Sequence, residues 1–191
     1  MNFASLVREA RSCRRFVEDE RVHNNSLTWL VDMARVCPSA RNAQGLRYVI
    51  VASPKMCAAI FPHTKWAGAP KWDGPCMGER PTGYIAILTP EKPNKNVYID
   101  VGIAAQTIQL GAQNNGIGCC MHASFKPKEC SEILSVPEGM EIALLLGLGI
   151  EKEKRIIATM PEDGNVNYWR DANGVHFVPK RELNEVLLNT L

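Results

Sequence analysis

Two short segments carry the residue types that chemistry needs. The first is Arg11-Ser12-Cys13-Arg14-Arg15-Phe16. Arg11, Ser12 and Arg14 supply two guanidinium forks and a hydroxyl from one turn of chain, a donor set suited to a phosphate monoester. Hydrogen bonds involving a charged partner contribute about 1.5–3 kcal/mol each, so three on one dianion make a binding site. The second segment is Pro38-Ser39-Ala40-Arg41-Asn42-Ala43-Gln44. Its small residues leave the backbone open to a flat ligand. Asn42 and Gln44 each offer a donor and an acceptor to the edge of a heterocycle rich in N–H and C=O groups. A further basic pair, Lys180-Arg181, falls where the pattern predicts the start of a last helix, whose free N–H groups favour an anion. Either basic cluster alone reads as a solvated charged face; together with the 38–44 loop they read as a site.

The elements that must position these segments follow from periodicity. Phe3, Leu6, Val7 and Ala10 predict a first helix behind an Asn2 cap. Leu27, Leu30, Val31 and Ala34 predict a second, led by Asn25 or Ser26 and stopped by Pro38. Leu46 to Ala52 is a strand that anchors the 38–44 loop, and Pro54 to Ile60 is a short helix. Gly83 to Thr89, Ile117 to Met121 and the most apolar run, Glu141 to Gly149, are strands. Asn96 to Asn115 is the longest helix, ended by Gly116, and Pro127 opens another to about Leu134. Residues 151–173 read as irregular, followed by an amphipathic helix from near Pro179 through Leu183, Val186, Leu187 and Leu191. Residues 62–82 form a long loop holding Trp66 and Trp72, either a pocket wall or a surface excursion pinned to the core.

Composition narrows the class. The chain has 191 residues, 46% hydrophobic and 22% charged, which suits one domain with a sizeable core. A net charge of +2 with scattered basic residues gives no nucleic-acid footprint. The charged first 16 residues leave no room for a signal peptide, and Ile142 to Ile150 is too short to span a bilayer, so a cytoplasmic protein is expected. Seven cysteines, odd in number and without a C-x-x-C pair, argue against a disulfide framework or zinc ribbon. Cys119-Cys120 is either a redox pair or, more simply, two buried packing residues. His23, His63, His122 and His176 have no zinc-ligand spacing. No Walker loop, no G-x-G-x-x-G and no G-x-S-x-G occurs.

Taken together, the segments resemble the FMN-dependent nitroreductase family. The matching motifs are R-S-x-R-x-F at Arg11 to Phe16, P-S-x-x-N-x-Q at Pro38 to Gln44, the helix and turn from Asp100 through Leu110-Gly111-Ala112 to Gly116-Ile117-Gly118, and Lys180-Arg181. The resemblance implies an α+β sandwich, a mainly antiparallel central sheet flanked by helices, and an intertwined homodimer with FMN at interfacial sites. The alternation of helices and strands alone would equally fit a doubly wound α/β fold. By the same resemblance, Arg11, Ser12 and Arg14 are expected at the ribityl phosphate and the flavin pyrimidine edge, with Lys180 and Arg181 as further phosphate ligands. Pro38, Ser39, Ala40, Asn42 and Gln44 are expected to be donated by the partner protomer. His122, Ala123 and Ser124 match the turn whose backbone N–H groups approach the flavin N5 and O4 side. Some members carry an acidic residue and glycine where this chain has Ala123 and Ser124, which leaves only a backbone role there. The implied activity is ping-pong hydride transfer from NADH or NADPH through FMN to a small-molecule acceptor such as a nitroaromatic or quinone. No protein nucleophile is needed, which fits the missing triad. A specialised flavin enzyme of the same fold, a non-catalytic flavin-binding protein and a thiol-redox protein are the rivals.

Overall fold

Gly83–Pro90 (β2) and Met140–Ile150 (β4) carry apolar side chains on both faces, so both must lie inside a sheet covered on two sides. The computed structural model, which describes residues 2–67 and 72–191, places them side by side at the centre of a four-stranded sheet. Arg47–Val51 (β1) flanks β2, and Ile117–His122 (β3) flanks β4, in the order β1-β2-β4-β3. All three pairings are antiparallel. The antiparallel sandwich is therefore the architecture, and the doubly wound alternative is excluded.

Alternation divides the core. Ile85, Ile87, Leu146 and Leu148 face one layer of helices, Asn24–Arg35 (α2) and Lys95–Asn114 (α4). Tyr84, Ala86, Leu88 and Leu145 face the other, Pro54–Ile60 (α3) and Pro127–Leu134 (α5). Leu27, Leu30 and Ile108 are fully buried, and burying such a side chain contributes about 1.5–3 kcal/mol. The first helix, Phe3–Glu9 (α1), starts as expected, with the Asn2 side chain accepting from the Ser5 N–H at 2.9 Å. The second is capped at His23, two residues ahead of Asn25 and three ahead of Ser26, the two expected caps.

Two expectations about the C-terminal part are corrected. Residues 151–173 are not wholly irregular: Arg155–Thr159 (β5) pairs in parallel with His176–Lys180 (β7), and Trp169–Arg170 (β6) pairs antiparallel with β7. This second sheet is built from partners distant in sequence and leaves little local trace. The last helix is one turn only, Leu183–Val186 (α6), capped by Glu182. Pro179 and Lys180 belong instead to β7. Leu188 and Leu191 are fully exposed, and a short amphipathic pattern with nothing to pack against does not sustain a helix.

The N-terminal segment 11–16 lies along the β3/β4 side of the sheet. The Cys13 N–H donates to the Cys119 carbonyl at 2.9 Å, and Phe16 bridges to Glu151. Gly118 and Gly149 make room for it. A Cβ at either glycine would sit 2.7 Å from the Cys13 sulfur or the Phe16 ring.

Candidate functional site

Because segment 11–16 is held against β3 and β4, its side chains meet β7 and α4. Arg11, Ser12, Arg14 and Lys180 line one cavity of about 310 Å³ with Gln109 and His176. Residues separated by 169 positions thus converge on one cationic hollow. Burial and the nearby Arg155 pull the Arg11 pKa down, a penalty that an incoming anion would relieve.

A second cavity of about 370 Å³ adjoins it, lined by Lys65, Trp66, Cys120 and the turn Met121-His122-Ala123-Ser124. Arg14 and Tyr168 line both cavities and stand at the waist between them. The Arg14 guanidinium lies 4.7 Å from the centre of the Tyr168 ring, a cation–π contact. Tyr168 in turn stacks on His176, with centroids 5.1 Å apart.

Arg14 is fixed from below. Its backbone N–H donates to the Glu153 carboxylate at 2.6 Å, and Glu153 also accepts from Arg170 at 2.9 and 3.2 Å. The Glu153 side chain is 1% exposed, so it is a paired buried anion.

The second cavity has a hydrophobic wall. Trp66 is buried and donates its Nε1–H to Thr64 Oγ1 at 3.0 Å. It meets His122 edge-on at 4.3 Å. His122 is itself buried, with Nδ1 3.2 Å from the Lys65 carbonyl; burial lowers its pKa to about 4, so its ring is neutral at pH 7. Trp66 is thus both anchor and wall. Trp72 packs beneath Arg170 at 4.4 Å. The loop's residues 68–71 lie outside the described residues.

The other expected residues are elsewhere in the protomer. Pro38, Ser39 and Gln44 line a separate cavity with Asp100 and Tyr48, which shares no residue with the two above. The Ala40 N–H donates to Asp100 on α4 at 3.2 Å, and Gln44 N–H to Ser39 Oγ at 3.1 Å. Arg41, Asn42 and Gln44 all have positive φ, of 56°, 53° and 48°. Three non-glycine residues in that region cost energy, and such strain gathers at ligand clamps. Lys180 and Arg181 both line a groove beside α1, but Arg181 does not reach the Arg11 cavity and pairs instead with Glu185 at 3.2 Å.

The adjacent cysteines do not form a redox pair. Neighbouring strand residues point to opposite faces; Cys119 packs in the α2/α4 layer, and Cys120 packs with Phe16 and Trp66. Both thiols are free and buried, and burial pushes Cys120 up to about 11 and Cys119 well above the usual thiol value. Among the described residues no His/Cys/Asp/Glu group could hold a metal ion, and no helix is long and apolar enough to cross a membrane.

The pattern of the "Nitroreductase family" matches residues 7–150, about three quarters of the sequence. The chain belongs to the nitroreductase family. Solved structures carry the same fold. A nitroreductase family protein from Clostridium novyi NT is 25% identical, with 80% of this chain and 86% of that one covered and a TM-score of 0.65. An FMN-dependent nitroreductase from Clostridium difficile R20291 is 20% identical over 81% and 90%, with a TM-score of 0.66. A protein from Desulfovibrio desulfuricans solved in complex with FMN is 18% identical over 100% and 98%, with a TM-score of 0.68. No curated protein sequence matches.

For this nitroreductase family member, sequence reasoning missed Tyr168, His176, Gln109 and Glu153. The first two lie in or beside the stretch read as irregular. Gln109 is one polar position on the long helix α4 and carries no local signal. Glu153 gave no signal, because its partner Arg14 is 139 residues away.

Proposed function

We propose that the chain is a homodimeric FMN-dependent oxidoreductase that draws electrons from NADH or NADPH and passes them to a small-molecule acceptor, such as a nitroaromatic or quinone. The observation that carries this is the pair of neighbouring cavities that share Arg14 and Tyr168 as lining. FMN has the matching form, a dianion at one end and a planar ring at the other. The residues present fit it: Arg11, Ser12, Arg14 and Lys180 would hold the phosphate, and the 121–124 turn with Trp66 would bound the ring.

Bound there, FMN supplies alternate uptake and delivery of hydride, one partner after the other, which gives ping-pong kinetics. The chain's own residues bind and orient. Arg14, which lines both cavities, would set a positive charge near the bound ring and favour negative charge developing there. The Glu153 carboxylate holds the Arg14 backbone in place. Trp66 and the neutral His122 exclude water from one side.

The partner protomer is expected to complete the site. Tyr98 and Ile99 on α4 are 55% and 58% exposed, beside the 38–44 loop that Ala40 ties to Asp100. A second copy docked on this face would carry Pro38, Ser39, Ala40, Asn42 and Gln44 toward its partner's ring cavity. This supports a dimer of two 21.2 kDa chains.

The test is a visible absorbance spectrum of the purified protein before and after anaerobic addition of NADH or NADPH. A yellow protein with about one FMN per chain that bleaches on reduction is expected. A colourless protein that ignores added FMN overturns the reading. A yellow protein that neither nicotinamide bleaches points to a flavin-binding protein without this turnover.

A further inference from the structure

His176 has no role in the assignment above, yet it is built into the anion cavity. It is 1% exposed and lines the same hollow as Arg11, Ser12, Arg14 and Lys180. Neither ring nitrogen has a hydrogen-bond partner. A buried imidazole with both nitrogens unsatisfied is costly, by about 1–3 kcal/mol for each lost group. Its plane is held by the Tyr168 stack, and its backbone by the N–H donated to the Lys154 carbonyl at 2.9 Å.

We propose that His176 is a fifth phosphate ligand, and that its ring takes up a proton from solvent when the phosphate dianion of FMN enters the cavity. The proposal rests on the FMN reading of the site. Protonation gives the ring two N–H donors, one for the phosphate and one for Glu153, whose Oε2 lies 3.9 Å from Nδ1.

The groups around the ring explain why the proton is absent beforehand. Glu153, on the chain leading into β5, favours the charged ring. Arg170 from β6, Arg14 from the N-terminal segment and Arg155 from β5 oppose it, and burial opposes it most, so the ring is held at about 4. Arg11 and Lys180 add positive charge to the same cavity, and Gln106 and Gln109 on α4 are neutral. A bound dianion reverses the sign of this field. Its charge meets Arg11, Arg14 and Lys180 and leaves Glu153 to act on His176.

The test is a proton NMR titration of the imidazole signals with and without saturating FMN. The chain has four histidines, so the spectrum is sparse. The His176→Gln variant assigns the signal by its loss; His176→Phe, which keeps the stack on Tyr168, serves if the first does not fold. Without FMN the His176 signal should stay neutral down to about pH 5. With FMN its midpoint should rise by about one pH unit or more. Riboflavin, which lacks the phosphate, should leave it in place. An unchanged midpoint with FMN bound, or an equal rise with riboflavin, overturns the proposal but leaves FMN binding intact. A wild-type protein that binds neither flavin removes the FMN reading and this proposal with it.

Discussion

The backbone N–H of Arg14 donates to the carboxylate of Glu153 at 2.6 Å, joining the N-terminal basic motif to the start of the second sheet. The contact sets where the Arg14 side chain stands, between the two cavities. It also makes Glu153 a hub, since the same carboxylate accepts twice from Arg170.

Glu153→Ala should therefore cost stability and flavin together. Breaking one side of a buried ion pair costs about 3–5 kcal/mol. Glu153→Gln, which keeps an acceptor for the Arg14 N–H, should lose less. Urea midpoints and FMN dissociation constants of the two variants check this; equal values for Glu153→Ala and wild type would remove the hub.

Within the basic pairs, the roles should separate. Arg14→Ala and Lys180→Ala should each weaken FMN binding about tenfold or more, the worth of one charge-assisted contact. Arg181→Ala should behave like the surface variant Lys95→Ala, because Arg181 is spent on Glu185 outside the cavity. Fluorescence titration with FMN distinguishes them, and a loss with Arg181→Ala equal to that with Lys180→Ala contradicts the placement.

Stability should fall in mild acid. His122 and His176 are held neutral, each near pKa 4, against an ordinary value of 6.5. Their folded values are depressed, so the unfolded chain takes up protons that the folded chain refuses. Full stability is present above about pH 6.5 and is lost as pH drops toward 4. The slope reaches about 1.4 kcal/mol per pH unit for each ring. Urea denaturation between pH 8 and 4.5 measures it, and His122→Gln should flatten the slope.

A thiol mechanism should find no support. Cys119→Ala should leave nicotinamide-driven reduction within about twofold, and Cys120→Ala, which trims one wall of the ring cavity, should not abolish it, since neither thiol is ionised near neutral pH. Thiol reagents should modify exposed Cys76 first and the buried pair only on denaturation. Loss of turnover in a folded double variant would reopen the redox pair.

Placing a charge on α4's exposed apolar face should split the proposed dimer. Ile99→Glu should halve the sedimenting mass and lower FMN occupancy while the helix content stays unchanged. A variant that remains dimeric with full flavin would show that this face is not the interface.

The central sheet, α3, α5 and the long α4 were legible because each is written locally: in alternation that buries two faces, in prolines that open helices, and in a 3.6-residue apolar stripe. The grouping of donors within 11–16 was legible for the same reason, since they are neighbours in sequence; the 38–44 loop lies at a separate cavity of the protomer. What pairs with what was not. Both Lys180 and Arg181 border the groove beside α1, but only Lys180, the last residue of β7, also reaches the Arg11 cavity. Cys119 and Cys120 are separated by the sheet they share. The buried Glu153, the Tyr168 stack and the unpartnered ring of His176 exist only once strands more than a hundred residues apart from segment 11–16 are folded against it. Non-local hydrogen bonds and burial decide those positions, and neither leaves a mark on the residues beside them.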